Sequence, residues 1–143
     1  KREAFAGWLI KDPGLVYALA FCSPQVIDKI NIYQAARRAM RQALKKIQPS
    51  LAVKTIVLVD GKQKIEGVRH DQRAIVAGDR KIFAIACASV LAKVHRDRMM
   101  KRYAKKFPGY GFEIHMGYGT KHHYARLAEL GPCPIHRRSF RLT

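Results

Sequence analysis

Thr55-Ile-Val-Leu-Val-Asp60-Gly61 and Ala74-Ile-Val-Ala-Gly78-Asp79 decide how this chain is read. Each is a run of β-branched and aliphatic residues that closes on an aspartate. Such runs predict buried strands, Thr55–Val59 ending at Asp60 and Ala74–Ala77 ending before Asp79. In open α/β sheets, ligands collect beyond the carboxyl ends of the strands. A turn aspartate beside a glycine is the plain alternative for either residue.

The charge balance gives the two aspartates weight. The 143 residues carry 28 Lys and Arg against 10 Asp and Glu, a net charge of +18. So large an excess predicts a polyanionic partner, with nucleic acid ahead of a membrane surface. An acid placed where a strand leaves the core of such a protein is a candidate metal ligand facing phosphate. The apolar stretches are too short for a membrane span, and no signal-peptide pattern is present. Cys22, Cys87 and Cys133 are an odd, widely spaced set. That favours free thiols and a cytoplasmic setting over a disulfide framework. The length suits one domain spanning residues 1–143.

Working outward, residues 1–10 predict a helix, and Pro13-Gly14 a turn. The apolar run Leu15–Cys22 predicts a buried strand. Ser23 and Pro24 read as the N-cap and first residue of a long helix to Ile47, with a break near Asn31. Ile27, Ile30, Tyr33, Ala36, Met40 and Leu44 are spaced to share one apolar face. Residues 83–106 predict a second long helix. Its first half is rich in small residues (Ala84, Ala86, Cys87, Ala88, Ser89), which would let a sheet approach closely. Its second half, from Lys93 onward, is basic. A glycine- and aromatic-rich loop, Gly109–Gly119, follows. A last helix from about Thr120 to Leu130 stops at Gly131, and an arginine-rich tail closes the chain. Strands alternating with helices indicate an α/β layer.

Asp60 and Asp79 together suit a hard cation, since Mg²⁺ takes oxygen ligands from one or two carboxylates, phosphate and water. Two aspartates are too few for a pair of ions, and the other acids are scattered. Asp97, between Arg96 and Arg98, reads as an ion-pair partner. Cys133 and His136, with His115, His122 and His123, raise a zinc reading. Only one close Cys–His pair exists, so zinc stays the minor reading. His122 and His123 are expected on the surface or facing phosphate, and Cys87 in the core.

Ile27-Asp-Lys-Ile-Asn-Ile-Tyr-Gln-Ala35, Leu58-Val-Asp-Gly61, Gly78-Asp79 and Ala86-Cys-Ala-Ser-Val-Leu-Ala-Lys-Val94 occur in that order. Arg96-Asp97-Arg98, Glu113-Ile-His-Met-Gly-Tyr-Gly-Thr120 and Gly131-Pro-Cys-Pro-Ile-His-Arg-Arg-Ser-Phe140 continue the series. Together they resemble the C-terminal two-thirds of ribonuclease HII, the type 2 ribonuclease H. The resemblance implies a ribonuclease H-like fold, a mixed sheet flanked by helices. It implies cleavage of the RNA strand of RNA/DNA hybrids, and nicking 5′ of single ribonucleotides in duplex DNA. It also implies a four-carboxylate site for Mg²⁺ or Mn²⁺, working by two-metal hydrolysis, and a monomeric protein.

On this resemblance Asp60 and Asp79 are the third and fourth carboxylates. The first two belong to an Asp-Glu-Ala-Gly-Arg-Gly motif on the family's first strand. No Asp-Glu pair occurs in the 143 residues, and Lys1 reads as the middle of a helix. The expectation is therefore a domain without its N-terminal strands, inactive unless another segment supplies them. Tyr118, with Gly117, matches the family tyrosine that stacks at the ribose–deoxyribose junction and senses the 2′-hydroxyl. Met116 stands where relatives usually carry Lys. Lys81, Lys93, Arg96, Lys121, Arg137 and Arg138 are the expected backbone contacts. The rival expectation is a non-catalytic basic nucleic-acid-binding module.

Overall fold

The computed structural model describes residues 1–49 and 54–140. Helix α1 spans Arg2–Lys11 and α2 spans Pro24–Ile47. Strands β1, Ile56–Asp60, and β2, Asp71–Ile75, form a two-stranded parallel sheet. A 3-10 turn, Gly78–Arg80, leads into α3, Phe83–Lys106. A single helical turn, α4 (Phe112–His115), precedes α5, Lys121–Leu130. The α/β class read from the sequence holds, as do the limits of α2 and α3.

Helix α2 starts where its chemistry says it should. Ser23 accepts a hydrogen bond from the Val26 amide, and Pro24 occupies the first turn. Asn31 breaks the helix, with φ 63° and ψ 166°. Its side-chain oxygen accepts from the Gln34 amide at 3.0 Å and so caps the second half afresh. This break corrects the expected apolar face. Helical spacing assumes a constant rotation per residue, and the break resets it. Ala35 is the residue that becomes buried, whereas Tyr33, Ala36 and Met40 are exposed.

Two further expectations change. Leu15–Cys22 is not a strand. Leu15 and Leu19 instead anchor it on the core formed by Ala6, Leu9, Cys87, Leu91 and Val94 between α1 and α3. Its backbone is satisfied from outside any sheet, the Lys46 ammonium donating to the Leu19 carbonyl at 2.7 Å. The second strand starts earlier than predicted and ends at Ile75, so Asp79 sits in the 3-10 turn beyond it. The small-residue face of α3 is also open. Ala84, Ala88 and Ser89 are exposed, while Ile85, Cys87 and Leu91 point inward.

The strands pair in register, with Val59 opposite Ala74 and Asp60 opposite Ile75. Val59 is buried, but Ile56 and Leu58 are 42% and 36% exposed, so β1 is not the fully covered strand its sequence predicts. The connection through residues 61–70 holds no helix. The Gln72 side chain pins it, accepting from the Ile65 amide and donating to the Ile65 and Val68 carbonyls. A second core gathers Met100, Tyr110, Phe112 and Leu127 between the end of α3, the 109–119 loop and α5. Helix α3 thus spans the described fold, with its N-terminus against the 3-10 turn and its C-terminal half beneath the loop.

Candidate metal centre and nucleic-acid interface

The turn after β2 brings the two aspartates together. Asp60 ends β1, and its Oδ1 accepts a hydrogen bond from the Gly78 amide at 2.9 Å. Gly78 is the residue immediately before Asp79. Gly78 packs closely here, since a Cβ would lie 2.6 Å from Ile85 Cδ1 and would push that side-chain end aside. Ala77, just before it, is left-handed at φ 53°, which turns the chain sharply off the strand. Both carboxylates are exposed, and among the described residues Asp79 has no hydrogen-bond or ion-pair partner. Two exposed aspartates on adjoining backbone offer hard-oxygen donors of the kind that Mg²⁺ or Mn²⁺ takes. They are not a complete cage: no group of three or more His, Cys, Asp or Glu among the described residues is arranged to hold a metal ion. Lys81, two residues after Asp79, donates its ammonium to the Val76 carbonyl at 2.9 Å.

A second group forms around Tyr118. Gly117, at φ 75°, turns the loop so that Tyr118 stands half-exposed over α3. The Lys93 ammonium lies 4.8 Å from the ring centroid, and the Arg96 guanidinium 5.6 Å. Arg96 also donates to the Met116 carbonyl at 3.2 Å, which ties the loop to the helix. Lys93 pairs with Asp97 at 2.7 Å, so Asp97 is the ion-pair partner its sequence position suggested. Hydrogen bonding to the Lys93 ammonium, helped by the Lys93 and Arg96 charges, holds the Tyr118 phenol below its ordinary range. Burial works against the Lys93 charge, but Asp97 and Tyr118 outweigh it and raise that lysine above its usual value. The result is a cationic rim around an aromatic face.

Arg137 approaches the same region from the tail. Its guanidinium lies 3.7 Å from the Phe140 ring centroid. Partial burial, then the nearby Arg96 charge, lowers its affinity for a proton. A cavity of about 250 Å³ runs between Ser23, Ile27, Arg96, Tyr103, His123 and Arg137. Lys121 and Arg138 are exposed, and their side chains make no hydrogen bond or ion pair among the described residues. The predicted contacts therefore divide: Lys81 follows Asp79 by two residues, Lys93, Arg96 and Gly117 gather at Tyr118, Arg137 lies near Arg96, and Lys121 and Arg138 stand at the periphery. The end of the tail, residues 141–143, lies outside the described residues.

Sequence reading missed two features. Asp28 is the tail's anchor, accepting from the Arg138 and Ser139 amides, both at 2.9 Å, and from the Ser139 hydroxyl at 2.6 Å. The Ser139 bonds are the main cause of its lowered pKa. Nothing local could have found a pairing between residues so far apart in the chain. The other is His123. It was expected on the surface, but it is buried against Phe112, His115 and His136. Cys133 meets His136, and His136 meets His123, yet each ring nitrogen is engaged by backbone or by the other ring.

A family model described as Ribonuclease HII matches residues 14–143. Proteins named Ribonuclease HII are similar over almost the whole chain. The one from Endomicrobium trichonymphae is 48% identical over 142 residues, covering 98% of this chain and 65% of its own. The one from Caldicellulosiruptor bescii is 49% identical, covering 98% and 66%. The one from Geobacter metallireducens is 46% identical, covering 99% and 64%. The chain thus spans just under two thirds of the length of these curated relatives. With Asp60 at a strand end and Asp79 in the turn joined to it, an aromatic–cationic rim and a family match from residue 14 onward, the chain belongs to the ribonuclease HII family.

Proposed function

We propose that these residues form the greater part of a metal-dependent endonuclease acting on ribonucleotides within duplexes, either RNA/DNA hybrids or single ribonucleotides in DNA. The observation that carries this reading is the Asp60–Gly78–Asp79 arrangement, two exposed aspartates, one ending β1 and one in the turn after β2, in a protein at +18. In a purely binding protein, unneutralised carboxylates there would repel phosphate.

Asp60 and Asp79 would hold Mg²⁺ or Mn²⁺, which when bound activates the attacking water and neutralises the leaving oxygen in a phosphodiester hydrolysis. The Gly78 amide orients Asp60 by occupying Oδ1. Tyr118 offers an aromatic face for stacking on a sugar–base unit, which suits recognition of a 2′-hydroxyl beside it. Lys93, Arg96 and Arg137 supply positive charge along the same surface and position the duplex through its phosphates. Lys81 places a further cation two residues after Asp79.

These 143 residues contain two of the four carboxylates that the family's reaction uses, and no Asp-Glu pair. By themselves they are expected not to nick a duplex carrying one ribonucleotide under Mg²⁺. They are expected to bind it more tightly with the metal than without, and to lose that gain in Asp79→Asn. Strong nicking that survives Asp60→Asn would sink the reading. Binding indifferent to metal would favour the non-catalytic basic module, which the charge alone also supports.

A further inference from the structure

His115, His123 and His136 are the buried polar side chains among the described residues, at 6, 7 and 9% exposure. They surround Phe112, the largest fully buried side chain, and His115 stacks on His123 with ring centroids 4.2 Å apart. Their shortest hydrogen bonds select one arrangement of protons. His115 Nε2 lies 2.8 Å from the Tyr110 carbonyl, which can only accept, so that nitrogen carries the hydrogen. Its Nδ1 is then free to accept from the Gly117 amide at 3.1 Å. His123 Nδ1 lies 2.9 Å from the Tyr118 carbonyl and must likewise donate, which leaves Nε2 a lone pair. His136 Nδ1 accepts from the Cys133 amide at 2.9 Å, so its hydrogen is on Nε2. That hydrogen points at the His123 lone pair, 3.0 Å away.

One proton per ring satisfies each of these bonds. A second proton on His115 would oppose the Gly117 amide, and on His123 the His136 Nε2–H. On His136 it would crowd the Cys133 amide at 2.9 Å, with the Cys133 carbonyl farther off at 3.3 Å. The groups facing the rings do not invite such a proton. His123 faces His115, His122 and His136, while His136 faces Cys133, the Tyr110 ring and Arg137. Burial first, then these neighbours, depresses the basicity of His123 and His136.

We infer that His115, His123 and His136, held neutral in single tautomers, are positioning residues for Tyr118. They fix the Gly117 and Tyr118 backbone from beneath and tie that loop to the turn that leads into Arg137. All three rings are buried, and each is bonded to the loop, to the turn before Arg137 or to another ring. The inference rests on the reading of Tyr118 as the residue that meets the ribonucleotide, and its test separates the two.

Long-range ¹H–¹⁵N NMR of the protein reads the imidazole tautomers directly. At pH 7.5 the expected result is three neutral rings, His115 and His136 protonated at Nε2 and His123 at Nδ1. Two variants follow. His123→Leu removes both ring bonds, whereas His123→Asn returns an amide donor near the place of Nδ1. In His123→Leu the Tyr118 amide signal is expected to shift. The preference for a ribonucleotide-containing duplex over the same all-DNA duplex should fall roughly tenfold, the scale of one hydrogen bond, and His123→Asn should recover most of it. A His123 ring protonated at Nε2, or a folded His123→Leu protein with unchanged Tyr118 signal, would overturn the inference. If His123→Leu does not fold, acid titration of the unaltered protein decides. The Gly117 and Tyr118 amides must then move together with the His115, His123 and His136 rings, and independent movement overturns the coupling. A parent protein with no ribonucleotide preference would overturn the role of Tyr118, while the tautomers and amide signals still decide the positioning.

Discussion

At the scale of single residues, the site depends on backbone positions that tolerate little. Gly117 holds φ 75°, and a Cβ there would lie 3.0 Å from Met100 Cε, which is buried. Gly117→Ala should cost about 1–2 kcal/mol from the left-handed conformation alone. It should also displace Tyr118, so the loss in ribonucleotide preference should exceed what a simple stability loss explains. Urea unfolding and duplex titration, measured side by side, check this. At the other group, Asp60 and Asp79 are the proposed metal ligands. In a protein that includes all four carboxylates, Asp79→Asn should lower nicking by about a hundredfold or more, consistent with several kcal/mol of charge stabilisation from the bound metal. Thermal unfolding should hardly change, because Asp79 is exposed and unpaired among the described residues.

At the scale of elements, α2 shows a local conflict resolved by one side chain. Asn31 sits at φ 63°, ψ 166°, a region suited almost only to glycine. It persists because its side chain caps the Gln34 amide. Asn31→Ala keeps the strain and loses the cap, so it should destabilise the protein by about 1–2 kcal/mol. Asn31→Gly relieves the strain and gives up only a few tenths in capping. It should therefore be neutral or stabilising. Denaturant midpoints of the two variants should fall on opposite sides of the parent or leave only the alanine displaced. The same residue explains why the helix was legible and its buried face was not. Cap and proline signals are local, whereas the rotation of one half-helix against the other depends on the break between them.

Across the whole molecule, charge and the histidine cluster set the response to conditions. Net charge of +18 predicts that duplex binding weakens steeply with added salt, whichever functional reading holds. Stability should depend on pH in a stated direction. His123 and His136 have pKa values lowered by burial, so near pH 6 the unfolded chain binds more protons than the folded one. Stability is then complete above about pH 6.5 and is lost as pH falls below it, by up to about 1.4 kcal/mol per unit for each histidine. Thermal midpoints across pH 5–8 check the slope, and His136→Gln should flatten it. Asp28, lowered by its bonds to the tail, contributes only at more acid pH and leaves this window unchanged.

The sequence by itself determined the helix limits, the α/β class, the paired aspartates and the order of family motifs. Those signals are local: caps, prolines, apolar period and short spacings within one element. Tertiary structure alone decided which faces are buried, that Leu15–Cys22 anchors a helix pair rather than joining a sheet, and that His123 lies inside. It also decided that Gly78 joins the two aspartates and that Asp28 holds the tail. Each of these outcomes depends on a partner distant in the chain, and a hydrogen bond or contact across such a separation leaves no period or spacing to read.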